Sequence, residues 1–215
     1  EITPIKSSHQ RYADVFGALG YPIELLRAGE LPKQPLPRAM EKSMSETKKW
    51  VGIAPFAAFA GKTYPEHLMQ RLIAELDALD TYQLFLFGGG GLQRQKLDAW
   101  AHRHKNCVSV AGKLDFADEL DFISNLGLML SMDSGNAHLA AMYGVPVVTL
   151  WGVTHPFAGF YPFGQEEENA LLADRIKYPF IPTSVYGNKM PEGYDTAMET
   201  ISTKSIVDKI EKLLV

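Results

Sequence analysis

Gly127-Leu128-Met129-Leu130-Ser131-Met132-Asp133-Ser134-Gly135-Asn136-Ala137-His138-Leu139-Ala140-Ala141-Met142-Tyr143-Gly144-Val145-Pro146-Val147-Val148-Thr149-Leu150-Trp151-Gly152 reads as strand, tight turn, helix, turn and strand. Leu128, Met129 and Leu130 form a short apolar run of the kind that fills buried parallel strands. Asp133-Ser134-Gly135 interrupts it with a turn residue, an N-cap candidate and a glycine that permits a sharp bend. Ala137, Leu139, Ala140, Ala141 and Met142 are good helix formers, and Gly144 followed by Pro146 ends the helix. Val145 to Leu150 begins a second strand, with Pro146 near its start, where a missing N–H is tolerated.

This unit has chemical content. The free N–H groups and dipole at a helix N-terminus make an anion site. Ser134 can add a hydroxyl, and Gly135 lets a phosphate approach the main chain. His138 lies about one turn inside the helix, and helical side chains lean toward the N-terminus, so its imidazole can reach the same anion. A purely structural use of the same residues is equally open: Ser134 capping the helix and His138 packing beneath it.

Asp133-Ser134-Gly135-Asn136-Ala137-His138-Leu139-Ala140-Ala141, then Gly144-Val145-Pro146 and Trp151-Gly152-Val153-Thr154-His155-Pro156, resembles the donor-site signature of glycosyltransferase family nine. That family includes the ADP-heptose:lipopolysaccharide heptosyltransferases. The resemblance runs from about Trp50 to the end of the chain. It implies a GT-B architecture, two Rossmann-like domains facing across a cleft, with this chain supplying the C-terminal one. Carried over by position, it implies that Ser134, Gly135 and His138 hold the donor diphosphate. It also implies a donor-phosphate contact for Lys62, the lysine just before Tyr64-Pro65.

Working outward, strand and helix patterns alternate from Trp50 onward, which predicts an α/β fold with a parallel sheet covered by helices on both faces. Strands are expected at Val51–Pro55, Gln83–Phe87, Val108–Val110 and Ala170–Ala173, besides the two of the central unit. Helices are expected at Pro65–Leu79, Leu92–His104, Phe116–Asn125 and Ser205–Leu214. Upstream, Tyr12, Val15, Phe16 and Leu19 recur at helical spacing between Ser8 and Gly20. Tyr21 to Lys49, with Pro32, Pro35 and Pro37, reads as connector. Residues 1–49 are thus assigned to an interdomain helix and linker, and 50–215 to a Rossmann-like donor-binding domain.

Composition narrows the function classes. At 215 residues, 46% apolar and 21% charged, the chain can bury a sizeable core. A net charge of −4 gives no footing for nucleic-acid binding, and no apolar run reaches transmembrane length. The single cysteine, Cys107, excludes an internal disulfide and a cysteine-based metal site, and is expected in the core. The chain begins at Glu1 with neither methionine nor a signal-peptide pattern, as an excised fragment would.

Other motifs fail or stay open. Gly61-Lys62-Thr63 is not a P-loop, because Phe56 stands where its first glycine belongs. Lys62 nonetheless follows the first strand and faces the carboxyl ends of the sheet, where ligands bind. Gly88-Gly89-Gly90-Gly91 is no dinucleotide fingerprint, since Gln93 stands where the third glycine belongs. Gly88 and Gly89 still suit a flat ligand close to the backbone. Related heptosyltransferases carry a ribose-contacting acid near here, whereas Leu92 to Gln95 contain none. Thr154, with His155 and Pro156, either points into the same cleft, alongside Asp133 and Asn136, or forms a structured loop with Pro156 as its rigid element. Phe157 to Phe163 could line a sugar surface, and Ser184 to Lys189 receives no role.

The resemblance therefore implies an inverting glycosyltransferase's donor-binding domain, transferring heptose from ADP-heptose to a lipopolysaccharide core or other glycan. Its general base is expected in the N-terminal GT-B domain, so none is assigned here. No metal or cofactor is called for, the nucleotide sugar being substrate. Cytoplasmic residence is expected, with at most peripheral contact at the inner membrane. A non-catalytic nucleotide-sugar module and a protein-interaction domain are the alternatives.

Overall fold

A computed structural model describes residues 2–26 and 31–214. Residues 27–30, inside the expected connector, lie outside the described residues. In chain order the elements are α1 (Ser8–Ala18), β1 (Lys49–Ala54), α2 (Glu66–Ala78), β2 (Tyr82–Leu86), α3 (Leu92–Ala101) and β3 (Cys107–Ser109). There follow α4 (Phe116–Ile123), β4 (Leu128–Met132), α5 (Gly135–Met142), β5 (Val147–Trp151), β6 (Ala170–Leu172) and α6 (Thr203–Leu213).

The strands form one all-parallel sheet in the order β3-β2-β1-β4-β5-β6. Every residue of β2, β4 and β5 is buried, as continuous apolar runs in a doubly covered sheet require. Alternation along β1 sorts the two faces. Val51 and Ile53 meet Leu72, Leu76, Leu97 and Ile206, so α2, α3 and α6 cover that side. Ala54, Phe85 and Met129 meet Phe122, Ala137 and Ala141, so α4 and α5 cover the other. Changing faces between α3 and α4 places β4 beside β1. The chain runs outward from β1 in both directions, opening a crevice where the carboxyl ends of β1 and β4 diverge, the usual ligand position in such sheets.

Local chemistry sets the helix starts. The Asp115 carboxylate accepts from the N–H of Asp118 at 2.9 Å to cap α4, and the Ser202 hydroxyl accepts from Ser205 at 3.1 Å to cap α6. Gly91 takes the left-handed φ of 65° that turns the chain into α3. Several predicted ends move by a residue or two. β5 begins at Val147 because Pro146 has no N–H for the ladder, although its carbonyl accepts from Met129.

The upstream segment joins this core only in part. The apolar face of α1 does not enter the core: Tyr12, Val15, Phe16 and Leu19 are exposed and only Ala13 is buried. The helix is instead tied by its start, Ser8 donating through both N–H and hydroxyl to the carbonyl of Gly159, each at 2.8 Å. The later connector is packed down. Met40 is buried, and Gln83 bridges it by accepting from the N–H of Ser45 and donating to the carbonyl of Ser43. Among the described residues no helix is long and apolar enough to cross a membrane.

Candidate functional site

β4 ends at Met132, and Asp133-Ser134 turns the chain into α5 at the crevice. Ser134 sits in extended backbone at the N-cap, but its hydroxyl makes no capping bond. It lies 3.0 Å from the hydroxyl of Ser131, which itself reaches the carbonyl of Met132 at 2.9 Å. The first N–H groups of α5 have no carbonyl in a preceding helical turn. A cavity of about 210 Å³ lies before them, lined by Lys62, Asp133, Ser134, Gly135 and His138 with Phe160, Val185 and Tyr186. The structure thus brings the four proposed diphosphate contacts to one place.

Lys62 arrives there through close backbone packing. It ends a 3-10 turn, Ala60–Lys62, whose Gly61 carbonyl accepts from Val153 at 3.0 Å. A Cβ on Gly152 would stand 2.1 Å from that carbonyl, so only glycine lets the two segments touch. The Lys62 ammonium then meets the Asp133 carboxylate at 2.9 Å, with the side chains only 13% and 9% exposed. The same carboxylate oxygen accepts from the Thr154 hydroxyl at 2.9 Å. A lysine has three donors, so Lys62 can keep Asp133 and still meet a phosphate. His138 is held below its usual pKa of 6.5 by burial above all, with His9 and Lys62 acting the same way and Asp133 opposing them.

On the β1–β2 side of the same helix terminus is a second cavity of about 380 Å³. Gly88 and Gly89 line it with Phe56, Phe87, Gln93, Glu119, Asn136 and, again, Ser134. Gln93 accepts from the N–H of Gly89 at 2.8 Å, which fixes the glycine turn. Glu119 belongs to no motif in the sequence. Burial raises its pKa, and a hydrogen bond with Asn136 partly offsets this. It stands on α4, in a different βα unit from the glycines, so no local pattern could have joined it to them.

His155 follows the structured-loop reading and not the cleft one. It is buried with its Nδ1 accepting from Phe157 at 3.1 Å, and lines a separate hollow of about 640 Å³ between residues 2–9 and the β6 edge. Of the Thr154-His155 pair, only Thr154 belongs to the anion cavity's network.

The family model for glycosyltransferase family 9 (heptosyltransferase) matches residues 10–181, most of the chain. The chain belongs to this family. A lipooligosaccharide heptosyltransferase 2 from Haemophilus ducreyi is 25% identical to this family 9 chain over 203 residues, covering 91% of it and 56% of the relative. A family 9 glycosyltransferase from Veillonella parvula superimposes with a TM-score of 0.73 at 19% identity, over 97% of this chain and 60% of that one. The Escherichia coli ADP-heptose lipopolysaccharide heptosyltransferase II does so at 0.63 and 19%, over 92% and 56%. These structural likenesses carry the fold. The family 9 chain spans about half the length of the curated Haemophilus ducreyi heptosyltransferase.

Proposed function

We propose that the chain is the donor-binding part of an inverting glycosyltransferase, and that its donor is a nucleoside-diphosphate sugar of the ADP-heptose kind. The acceptor is a lipopolysaccharide-core glycan, met at most peripherally at the inner membrane. One observation carries this: Lys62, Ser134, Gly135 and His138 gather at a helix N-terminus that lies between two cavities sharing Ser134. A ligand with two bulky ends joined by an anionic middle fits that arrangement. Membership of the family supplies the reaction class.

In inverting transfer, an acceptor hydroxyl attacks the anomeric carbon while the bond from that carbon to the diphosphate oxygen breaks. The leaving diphosphate gains negative charge, which Lys62, the N–H groups opening α5 and a protonated His138 are placed to stabilise. Asp133 is assigned no base role in this scheme, since Lys62 and Thr154 hold its Oδ2 in the turn that opens α5. The base that deprotonates the acceptor belongs to the further length that relatives possess, so the chain alone binds nucleotide and transfers nothing.

Calorimetric titration with ADP tests the site. Each of Lys62→Ala and His138→Ala removes a charge-assisted hydrogen bond of about 1.5–3 kcal/mol and weakens binding by about tenfold or more. Unchanged affinity in both variants would reduce the site to an ordinary helix start. Sugar transfer by the purified chain to a lipopolysaccharide-core acceptor would refute the placement of the base.

A further inference from the structure

The segment from Thr183 to Met190 is long, polar and glycine-containing, the composition of a passive surface loop. Its placement is otherwise. Thr183 donates from its N–H to the carbonyl of Val153 at 2.9 Å, and Lys189 donates to the Ser184 hydroxyl at 3.3 Å. Between these ties Gly187 adopts φ 75° and lies against Lys62. A Cβ there would stand 2.5 Å from the lysine Cδ and 3.1 Å from the Thr154 methyl. The loop is therefore braced on the side chain that meets the anion.

What the bracing presents is apolar. Tyr186 is 63% exposed and Val185 is also exposed, yet both line the cavity of Lys62, Asp133 and His138. The Tyr186 ring lies 6.1 Å from that of Phe160, which lines the same cavity, and the Arg11 guanidinium lies 5.9 Å from the Phe160 centroid.

We propose that Tyr186, paired with Phe160, is the wall that receives the transferred sugar and gives the site affinity for a sugar-bearing diphosphate over the bare one. This rests on the donor-site function proposed above. A pyranose has a face of C–H groups and a rim of hydroxyls. An aromatic face accepts the former, and Asp133, Lys62 and Thr154 supply polar partners for the latter. The larger cavity, floored by Gly88 and Gly89, is left for the larger nucleoside end. Tyr186 is a specificity residue in this scheme and touches no breaking bond.

The test measures the affinities of ADP and ADP-heptose for the 215-residue chain and its variants side by side. Tyr186→Ala weakens ADP-heptose by about three- to tenfold, the range of one aromatic contact, while ADP stays within about twofold. Tyr186→Phe keeps both affinities, because the ring and not the hydroxyl makes the contact. Equal weakening of both ligands by Tyr186→Ala, or of neither, overturns the sugar wall. If the wild-type chain fails to bind ADP at all, the donor site itself falls and the wall with it. Binding of ADP that depends on Lys62, together with an indifferent Tyr186, removes the wall alone.

Discussion

Two imidazoles stand near the opening of α5, His138 within the anion cavity and His9 beside it, their ring centroids 6.3 Å apart. Burial lowers the pKa of both, and of His155, below 6.5. A group whose folded pKa lies below its unfolded value stabilises fully above the unfolded pKa, and that stabilisation is lost as pH falls. Thermal unfolding should therefore stay highest at neutral pH and decline below about pH 6.5. A bound diphosphate favours the imidazolium of His138, so the ADP affinity of wild type over His138→Gln should widen as pH falls. Titrations at several pH values read this directly, the variant correcting for protonation of ADP itself. Ser134 makes a sharper case. Its hydroxyl bonds Ser131 and not the helix, so Ser134→Ala should cost less than the ~1 kcal/mol of a lost cap while weakening ADP about tenfold. An ordinary capping loss with intact affinity would contradict it. Cys107 is the quiet counterpart: burial, helped by Asp77, pushes its thiol up to about 12, as befits a core residue.

Between elements, the Lys62 turn and the segment leaving β5 touch through glycine on both sides. Gly152→Ala places a methyl against the Gly61 carbonyl and Met198, an overpacking that costs about 1–3 kcal/mol and displaces the turn carrying Lys62. The expected outcome is a lower melting temperature together with weaker ADP binding in the protein that remains folded. Gly90→Ala is the control, since a Cβ there meets nothing within 4 Å. If both variants bind ADP as wild type does, Lys62 is not placed by this contact. Such contacts also mark what the sequence could and could not disclose. The turn from Asp133 to His138 was legible because its residues are neighbours, and helix chemistry fixes how they face one another. Phe160 was legible only as part of an aromatic run, and Glu119 and Tyr186 not at all, because each reaches the cavities from another loop or helix. Their approach depends on how the units stack, which no spacing records.

For the molecule as a whole, alternating patterns sufficed to show a parallel, doubly covered sheet, because each strand must be apolar throughout and each helix on one side. What covers the apolar face of α1 is not legible in that way. Its periodicity is that of a core helix, but periodicity names a face without naming what covers it. The strand order has a kinetic counterpart. β1 pairs with β2 at once, yet its other neighbour, β4, follows only after two further βα crossovers. Local helices form in microseconds, whereas pairings between distant segments must first overcome the entropy of closing the intervening loop. During refolding from denaturant, far-ultraviolet dichroism should recover ahead of the capacity to bind ADP, with the binding signal following the slowest major phase. Simultaneous recovery of both signals in stopped-flow mixing would argue against that order. The position that makes the crevice useful is thus also the one the chain completes late, so a nascent chain still lacking β4 carries a glycine-rich turn, a loose lysine and no site.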